Sequence, residues 1–286
     1  MLDASKKMDE LLLQHTANDC LVAFDIDMTL LQPDHPAVYY PNLRKHVDVY
    51  KAIMATLSPA ERDRKATLTV QILPQRLVEQ DTPAIVRSIQ AKGVPTLAFT
   101  ASLGGPLLPF AVCHSAAYIP VFDDLPSLES TPLVGIPQKV AAKTLEALRF
   151  EILKSFDFDF DGVFKTDSMI FDEIPAHNHQ HPLFFKGILC ANGEQGKGSD
   201  KGSVLVAFIK RLQLSPKVIV LVDDRMPNLE AVDRALKNYD PSIQFLGIEY
   251  QGAFEYAPES ISEEAFRAFW EDFASQAKIT LQEQHP

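Results

Sequence analysis

Short apolar runs alternate with amphipathic segments along the chain. Strand-like runs occupy 21–24, 94–99, 217–222 and 243–248, and segments with helical spacing occupy 83–92, 203–212 and 227–238. Continuous apolar runs of this length are typical of strands that are buried on both faces of a sheet. Their alternation with helices predicts an α/β fold: a three-layer, Rossmann-like parallel sheet with helices on both faces.

Residues 34–80 interrupt this alternation between the first two predicted strands. We therefore predict a core formed by 1–33 and 81–286, which carries 34–80 as a small, mainly helical cap insertion. Within the insertion, helical patterns cover 42–57 and begin again at Ser58, and a short strand is predicted around 68–73.

The region 103–198 is less regular and rich in proline and aromatic residues. Within it we predict a helix over 138–155, an edge strand over 156–161 and a solvated loop at 177–181. The pattern leaves open whether this region forms a separate cap or elaborates the core. After residue 262 it predicts a helix whose aromatic stripe we expect to pack against the sheet. The stripe consists of Phe266, Phe269, Trp270 and Phe273.

Composition narrows the function classes. The formal net charge is -11, which argues against nucleic-acid binding through a broad basic face but not against a small phosphorylated substrate. No apolar stretch approaches the ~18 residues of a membrane span, so we expect no membrane partner. The 3 cysteines are far apart, which favours a reducing compartment. A cytoplasmic location is therefore the default, with export and the oligomeric state left open.

Two acidic residues follow the first predicted strand. Asp25 and Asp27, in the segment DIDMT, leave the strand on the same side because side chains alternate along it. Close carboxylates repel each other unless a cation compensates, and oxygen ligands favour Mg²⁺. Asp25 is then placed to attack phosphorus, and Asp27 to protonate the leaving oxygen and later to deprotonate water. The alternative is a turn whose aspartates accept backbone hydrogen bonds.

Two further clusters are predicted at the same edge, where open parallel sheets place their active sites. Thr100 and Ala101 follow the second strand, and a hydroxyl with free backbone amides can hold a phosphate oxygen. Asp223 and Asp224 end the third strand and point in opposite directions. We expect one of them to bind a metal directly and the other to orient a cation or water. A turn threonine and a solvated helix start are the alternative interpretations.

A phosphoryl group needs positive charge beyond a metal ion. Lys201 stands at the start of the helical pattern 203–212, where the helix dipole disfavours a lysine, so another reason for its position is expected. Lys186 and Lys197 are its competitors.

Together and in this order, these pieces resemble the motifs of the haloacid-dehalogenase-like (HAD) superfamily. The matching segments are DIDMT at Asp25, AFT at Thr100, Lys201-Gly202 and VDD at Asp223. Within the superfamily, the chain looks most like an uncharacterised bacterial branch related to acid phosphatases. The resemblance implies a HAD-like core, with 34–80 at a place where this superfamily carries small cap elements.

The resemblance also implies roles for single residues. Asp25 would be the nucleophile that forms an aspartyl-phosphate, and Asp27 the general acid and base. Thr100, with the amide of Ala101, and Lys201 would bind phosphate. Mg²⁺ would be held by Asp25, the backbone carbonyl of Asp27, and Asp224, with Asp223 nearby.

The expected function is therefore a magnesium-dependent phosphatase that acts on a small phosphomonoester. A HAD-like scaffold that binds a partner, with weak or no activity, is the alternative from another class. Phosphotransfer to an acceptor other than water shares every motif and stays open.

Overall fold

A computed structural model of the protein describes residues 1–58, 61–62, 69, 73–102, 104–105, 144–177, 180–194 and 197–282. The helices are α1 (Leu2–Leu12), α2 (Tyr40–Lys45), α3 (Val47–Ala55), α4 (Thr82–Ala91), α5 (Leu145–Ser155), α6 (Lys201–Arg211), α7 (Met226–Tyr239), α8 (Gly252–Glu255) and α9 (Glu263–Gln282). The strands are β1 (Cys20–Phe24), β2 (Leu31–Pro33), β3 (Gln75–Leu77), β4 (Thr96–Thr100), β5 (Ser168–Ile170), β6 (Leu183–Phe185), β7 (Ile188–Cys190), β8 (Gly193–Glu194), β9 (Lys197–Gly198), β10 (Val218–Asp223) and β11 (Gln244–Glu249).

Seven strands form one sheet in the order β11-β10-β1-β4-β7-β6-β5. The first five are parallel, β6 is antiparallel to β7, and β5 is antiparallel to β6. The prediction of an α/β fold with a mostly parallel sheet flanked by helices is confirmed. The four predicted strands are present, each within two residues of its predicted bounds. No described helix combines the length and the hydropathy that crossing a membrane requires.

The central strands are buried on both faces. In β1, Leu21 and Ala23 belong to one apolar core together with residues of α6 and α7. Val22 and Phe24 point to the opposite face and are also fully buried. Strand β10 repeats this alternation. A residue with an odd number that continues either strand therefore points to the side of the sheet on which α6 lies.

Helix α6 is fixed at its first turn by a cap and a close contact. Asp200 precedes the helix, and its carboxylate accepts a hydrogen bond from the Ser203 amide at 2.9 Å. Gly202 faces α7, where an added Cβ would lie 2.3 Å from the carbonyl oxygen of Ala231. Because Gly202 has no side chain, the two helices approach closely, and this contact sets the position of Lys201.

The described residues of 33–75 and 258–286 form a compact unit of their own. In it the aromatic stripe of α9 packs against the insertion, and the Trp270 indole donates a hydrogen bond to the Ala37 carbonyl at 3.1 Å. The prediction that this stripe packs against the sheet is wrong. Helices α2 and α3 are too short to bury an apolar face alone, and α9 supplies the missing surface. The other unit contains the described residues of 1–32, 76–106 and 141–257.

Three other predictions concern the less regular segments. Residues 156–161 are not a strand, because a turn with Asp157 at φ 62 follows α5. Their alternation still shows in burial, since Phe158 and Phe160 are buried and stacked on each other. The helix predicted over 42–57 is interrupted at His46, which separates α2 from α3. Four of the six residues of the strand predicted around 68–73 lie outside the described residues, and the other two, Thr69 and Leu73, are not in a strand.

The contact at Gly202 predicts a large effect for a small substitution. Gly202→Ala places a methyl group against the α7 backbone, and overpacking of this kind costs roughly 1–3 kcal/mol of unfolding free energy. Urea unfolding measures it. Asn238→Ala, at an exposed position of α7, is the control and should stay within about 0.5 kcal/mol of the parent. Equal stability of both variants would show that the helices do not meet at this glycine.

Candidate active site

Lys201 joins the two central strands at their carboxyl ends. Asp25 follows β1, Asp223 ends β10, and both continue their strands at odd positions, towards α6. The Lys201 ammonium group donates to Asp25 Oδ1 at 2.6 Å, to Asp223 Oδ2 at 2.7 Å and to the Phe99 carbonyl at 2.5 Å. It also lies 4.9 Å from the centroid of the Phe99 ring. Three distant segments of the chain thus meet at one buried cation.

Burial and the charge of the opposite partner shift the pKa values of Lys201 and Asp25 in opposite directions. Burial would lower the pKa of Lys201, but the charges of Asp223 and Asp25 outweigh it and raise the pKa above its ordinary value. Burial raises the pKa of Asp25 well above its usual range, and the charges of the neighbouring aspartates add to this against the opposing effect of Lys201. Lys201 thus stays charged, while an ionised Asp25 needs more positive charge than Lys201 supplies.

Asp223 and Asp224 have different surroundings. Asp223 is fully buried and accepts hydrogen bonds from the side-chain amide of Asn228 and the backbone amide of Arg225, in addition to Lys201. Asp224 is half-buried, and no described residue donates a hydrogen bond to its carboxylate. Burial and the charge of Asp223 raise the pKa of Asp224 to about 7.

This arrangement fits a hard divalent cation. Asp25, Asp223 and Asp224 each offer a carboxylate oxygen, and these oxygens lie within 4.8 Å of one another. Oxygen ligands of this kind suit Mg²⁺ and Ca²⁺. Because Asp223 is already saturated with donors, the free oxygens belong mainly to Asp224 and Asp25.

A tight turn aims Asp27 at the end of β4. The amides of Leu30 and Leu31 donate to the Ile26 carbonyl, and Met28 lies in the left-handed region at φ 67. A non-glycine residue there is strained by about 1 kcal/mol or more. The strain is compensated by the burial of Met28 and by its amide, which donates to the Leu31 carbonyl at 2.7 Å. The turn therefore gives Asp27 hydrogen-bond partners other than Lys201.

Asp27 is held by three donors. The hydroxyls of Thr100 and Ser102 each donate to Oδ2 at 3.1 Å, and the Arg149 guanidinium donates to Oδ1 at 3.1 Å. The surrounding protein would raise the pKa of Asp27, but the charge of Arg149 and these hydrogen bonds outweigh it and lower the pKa below its ordinary value. Asp27 is therefore a carboxylate at the half-exposed rim of the site.

The structure brings six of the seven predicted site residues into these two groups. The seventh, Ala101, lies between Thr100 and Ser102 in sequence, and its carbonyl accepts a hydrogen bond from the Gly193 amide at 2.9 Å. Of the competing lysines, Lys186 pairs with Asp161 at 3.6 Å, and Lys197 lies in β9. The six are Asp25, Asp27, Thr100, Lys201, Asp223 and Asp224.

Sequence reasoning missed Arg149, Ser102 and Asn228 as site residues. Arg149 lies 122 residues from Asp27 in sequence, on the helix predicted within the irregular region. A single arginine on an amphipathic helix has no spacing that points to a carboxylate elsewhere. Ser102 and Asn228 stand next to recognised motifs, so the hydroxyl and the amide there were available signals.

Comparison with known proteins places the chain in a family. A family model described as "Protein of unknown function (DUF2608)" matches residues 5–285, and the chain belongs to this family. An uncharacterised protein of Rickettsia bellii is 23% identical over 241 residues, which are 81% of this chain and 68% of that protein. One of Rickettsia felis is 23% identical over 138 residues, 46% of this chain and 45% of the relative. No solved structure matches the chain.

The buried Lys201 predicts that removing the lysine alone destabilises the protein more than removing Lys201 and Asp223 together. Lys201→Met leaves the carboxylates of Asp25 and Asp223 uncompensated, which should cost about 3–5 kcal/mol of unfolding free energy. Adding Asp223→Asn should restore part of this loss, because one buried charge is removed. Urea unfolding compares the variants. Lys237→Met, which breaks an exposed pair with Asp233, should cost less than about 1 kcal/mol. A Lys201→Met protein as stable as Lys237→Met would contradict the geometry.

The raised pKa of Asp224 predicts how stability without metal depends on pH. The folded protein holds this proton up to about pH 7, whereas the ordinary value is 3.8, so the folded state binds more protons between these values. Its contribution to stability is present below the lower value and is lost as the pH rises through about 7. In EDTA, the Tm of the parent should therefore fall relative to Asp224→Asn over this window and then level off. A constant Tm difference would mean that Asp224 titrates normally.

Proposed function

We propose that this member of the DUF2608 family is a magnesium-dependent phosphohydrolase that acts on a small phosphomonoester through an aspartyl-phosphate on Asp25. The observation that carries the proposal is the contact of Lys201 with both Asp25 and Asp223 at the carboxyl edge of the sheet. A costly group of like charges at one edge is typical of a reaction site. The resemblance to HAD-like motifs supports the same reaction.

Asp25 is positioned as the nucleophile. Lys201 holds its Oδ1 at 2.6 Å, which leaves Oδ2 to attack phosphorus. Asp25, the backbone carbonyl of Asp27, and Asp224 would hold Mg²⁺, with Asp223 holding the lysine behind them. Bound there, Mg²⁺ would supply positive charge for the phosphate oxygens and for the nucleophile.

Asp27 is positioned for the proton transfers. In the first half, an Asp25 oxygen bonds to phosphorus, the bond from phosphorus to the leaving oxygen breaks, and a proton on Asp27 goes to that oxygen. In the second half, water attacks phosphorus and gives its proton to Asp27, and the bond to Asp25 breaks. The lowered pKa of Asp27 keeps this group ionised, as a base must be, whereas the acid role requires that Asp27 first takes up a proton.

Thr100 is suited to bind the phosphoryl group. Its hydroxyl donates to Asp27 at 3.1 Å and accepts from the Ser102 amide at 3.0 Å, so it lies between the turn that carries Asp27 and the segment after β4. A hydroxyl at this place can turn its donor from Asp27 to a phosphate oxygen. Transfer to an acceptor other than water would use the same residues.

The proposal predicts Mg²⁺-dependent release of phosphate from p-nitrophenyl phosphate and from members of a panel of small phosphomonoesters. Asp25→Asn removes the attacking oxygen and should reduce kcat by at least about a thousandfold, and EDTA should abolish turnover. Asp167→Asn, which changes an exposed aspartate of the same unit, is the control with full activity. If the purified parent with Mg²⁺ releases no phosphate across the panel, or if Asp25→Asn keeps its activity, the proposed reaction is wrong.

A further inference from the structure

Two cations lie at the candidate site, and their hydrogen bonds differ. The ammonium group of Lys201 has three N–H donors, and it has three acceptors: Asp25, Asp223 and the Phe99 carbonyl. Its side chain is 1% exposed. While these contacts persist, Lys201 has no donor left for a substrate. Its positive charge compensates the charges of the Asp25 and Asp223 carboxylates.

Arg149 has donors to spare. Its Nη1 donates to Asp27 at 3.1 Å, and its side chain is 13% exposed beside the 51% exposed Asp27. A guanidinium carries five N–H donors in a planar fork, and the described residues provide a partner only for Nη1. The same fork can hold a second oxyanion next to Asp27, in the two-point geometry that arginine adopts with phosphate.

Helix α5 fixes the position of Arg149. The hydroxyl of Thr144 caps the helix by accepting from the Ala147 amide at 3.3 Å. One turn before Arg149, the buried carboxylate of Glu146 accepts a hydrogen bond from the Gly105 amide at 2.7 Å. Helix α5 is thereby tied to the segment that follows β4. Arg149 is thus presented to the rim of the site by a fixed helix.

The charges of the site residues affect where an incoming anion can bind. Four aspartates face Lys201 and Arg149, so a phosphate dianion would meet excess negative charge even before it binds. A metal ion among Asp25, Asp223 and Asp224 would offset the excess negative charge beside these three residues but not beside Asp27. On the side of Asp27, the described cation is Arg149, with the Thr100 and Ser102 hydroxyls beside it.

We propose that Arg149 binds the phosphate oxygens of the substrate through the N–H donors that Asp27 does not use, while Lys201 remains with the carboxylates. The inference rests on the proposed function for its substrate class, a phosphomonoester dianion. Inorganic phosphate tests it separately, because binding of phosphate requires no turnover.

The experiment is calorimetric titration of the full-length protein with inorganic phosphate in the presence of Mg²⁺. Arg149→Gln removes the fork and should weaken phosphate binding about tenfold or more, whereas Arg149→Lys keeps the charge and should lose less. With p-nitrophenyl phosphate, KM should rise by a similar factor in Arg149→Gln. Arg234→Gln, which changes an exposed arginine 3.9 Å from Glu230, should leave both constants unchanged. The Tm of each variant checks folding, and Arg149→Lys replaces Arg149→Gln if the latter unfolds.

Several results would overturn the inference. Unchanged phosphate affinity with a reduced kcat in Arg149→Gln would make Arg149 a positioning residue for Asp27 only. A larger loss in Arg225→Gln than in Arg149→Gln would assign the phosphate to the exposed Arg225, and a parent that binds no phosphate would also contradict it. Phosphate binding that depends on Arg149 in a parent without turnover would support the inference and contradict the proposed reaction. Normal turnover with an unchanged KM in Arg149→Gln would contradict the inference and support the proposed reaction.

Discussion

The ammonium group of Lys201 is what allows the two buried aspartates Asp25 and Asp223 to share one edge of the sheet. Removing an ion from water costs several kcal/mol, and Asp25 and Asp223 compensate this only because each accepts a hydrogen bond of about 2.6–2.7 Å from the same group. A buried ion pair of this kind contributes little more stability than apolar side chains of the same volume. Folding alone therefore does not explain it, whereas the reaction proposed above would, because that reaction uses the carboxylates.

Much of the fold could be predicted because its signals are local. The apolar runs of β1, β4 and β10 are buried strands, and that of β11 is a partly exposed strand at the edge of the sheet. Helix-period segments stand between them. The predictions that failed are those in which one local sequence pattern is compatible with more than one tertiary arrangement. The stripe of Phe266 and Trp270 on α9 shows that a helix has an apolar face, but the pattern does not say whether a sheet or other helices cover it. At 156–161, alternation in burial occurs without strand pairing.

The site residues also divide into those that local patterns predict and those that depend on tertiary packing. The shared position at the carboxyl ends of predicted parallel strands indicated that Asp25 and the Asp223–Asp224 pair lie at one edge, and the order of motifs selected Lys201. Alternation also decides which aspartate meets the lysine: Asp223 continues the positions that face α6, and Asp224 does not. Arg149 could not be found in this way. Its contact with Asp27 depends on how α5 packs, which no spacing in the sequence encodes.

The contacts of Lys201 have a consequence for biosynthesis. Lys201 is 176 residues after Asp25 and 22 before Asp223, so a growing chain carries Asp25 long before Lys201 and strand β10 exist. Until β10 has left the ribosome and paired with β1, the Asp25 carboxylate cannot meet Asp223 at this edge. A nascent chain thus has no assembled charge cluster at this edge, and the cluster first forms when the centre of the sheet closes.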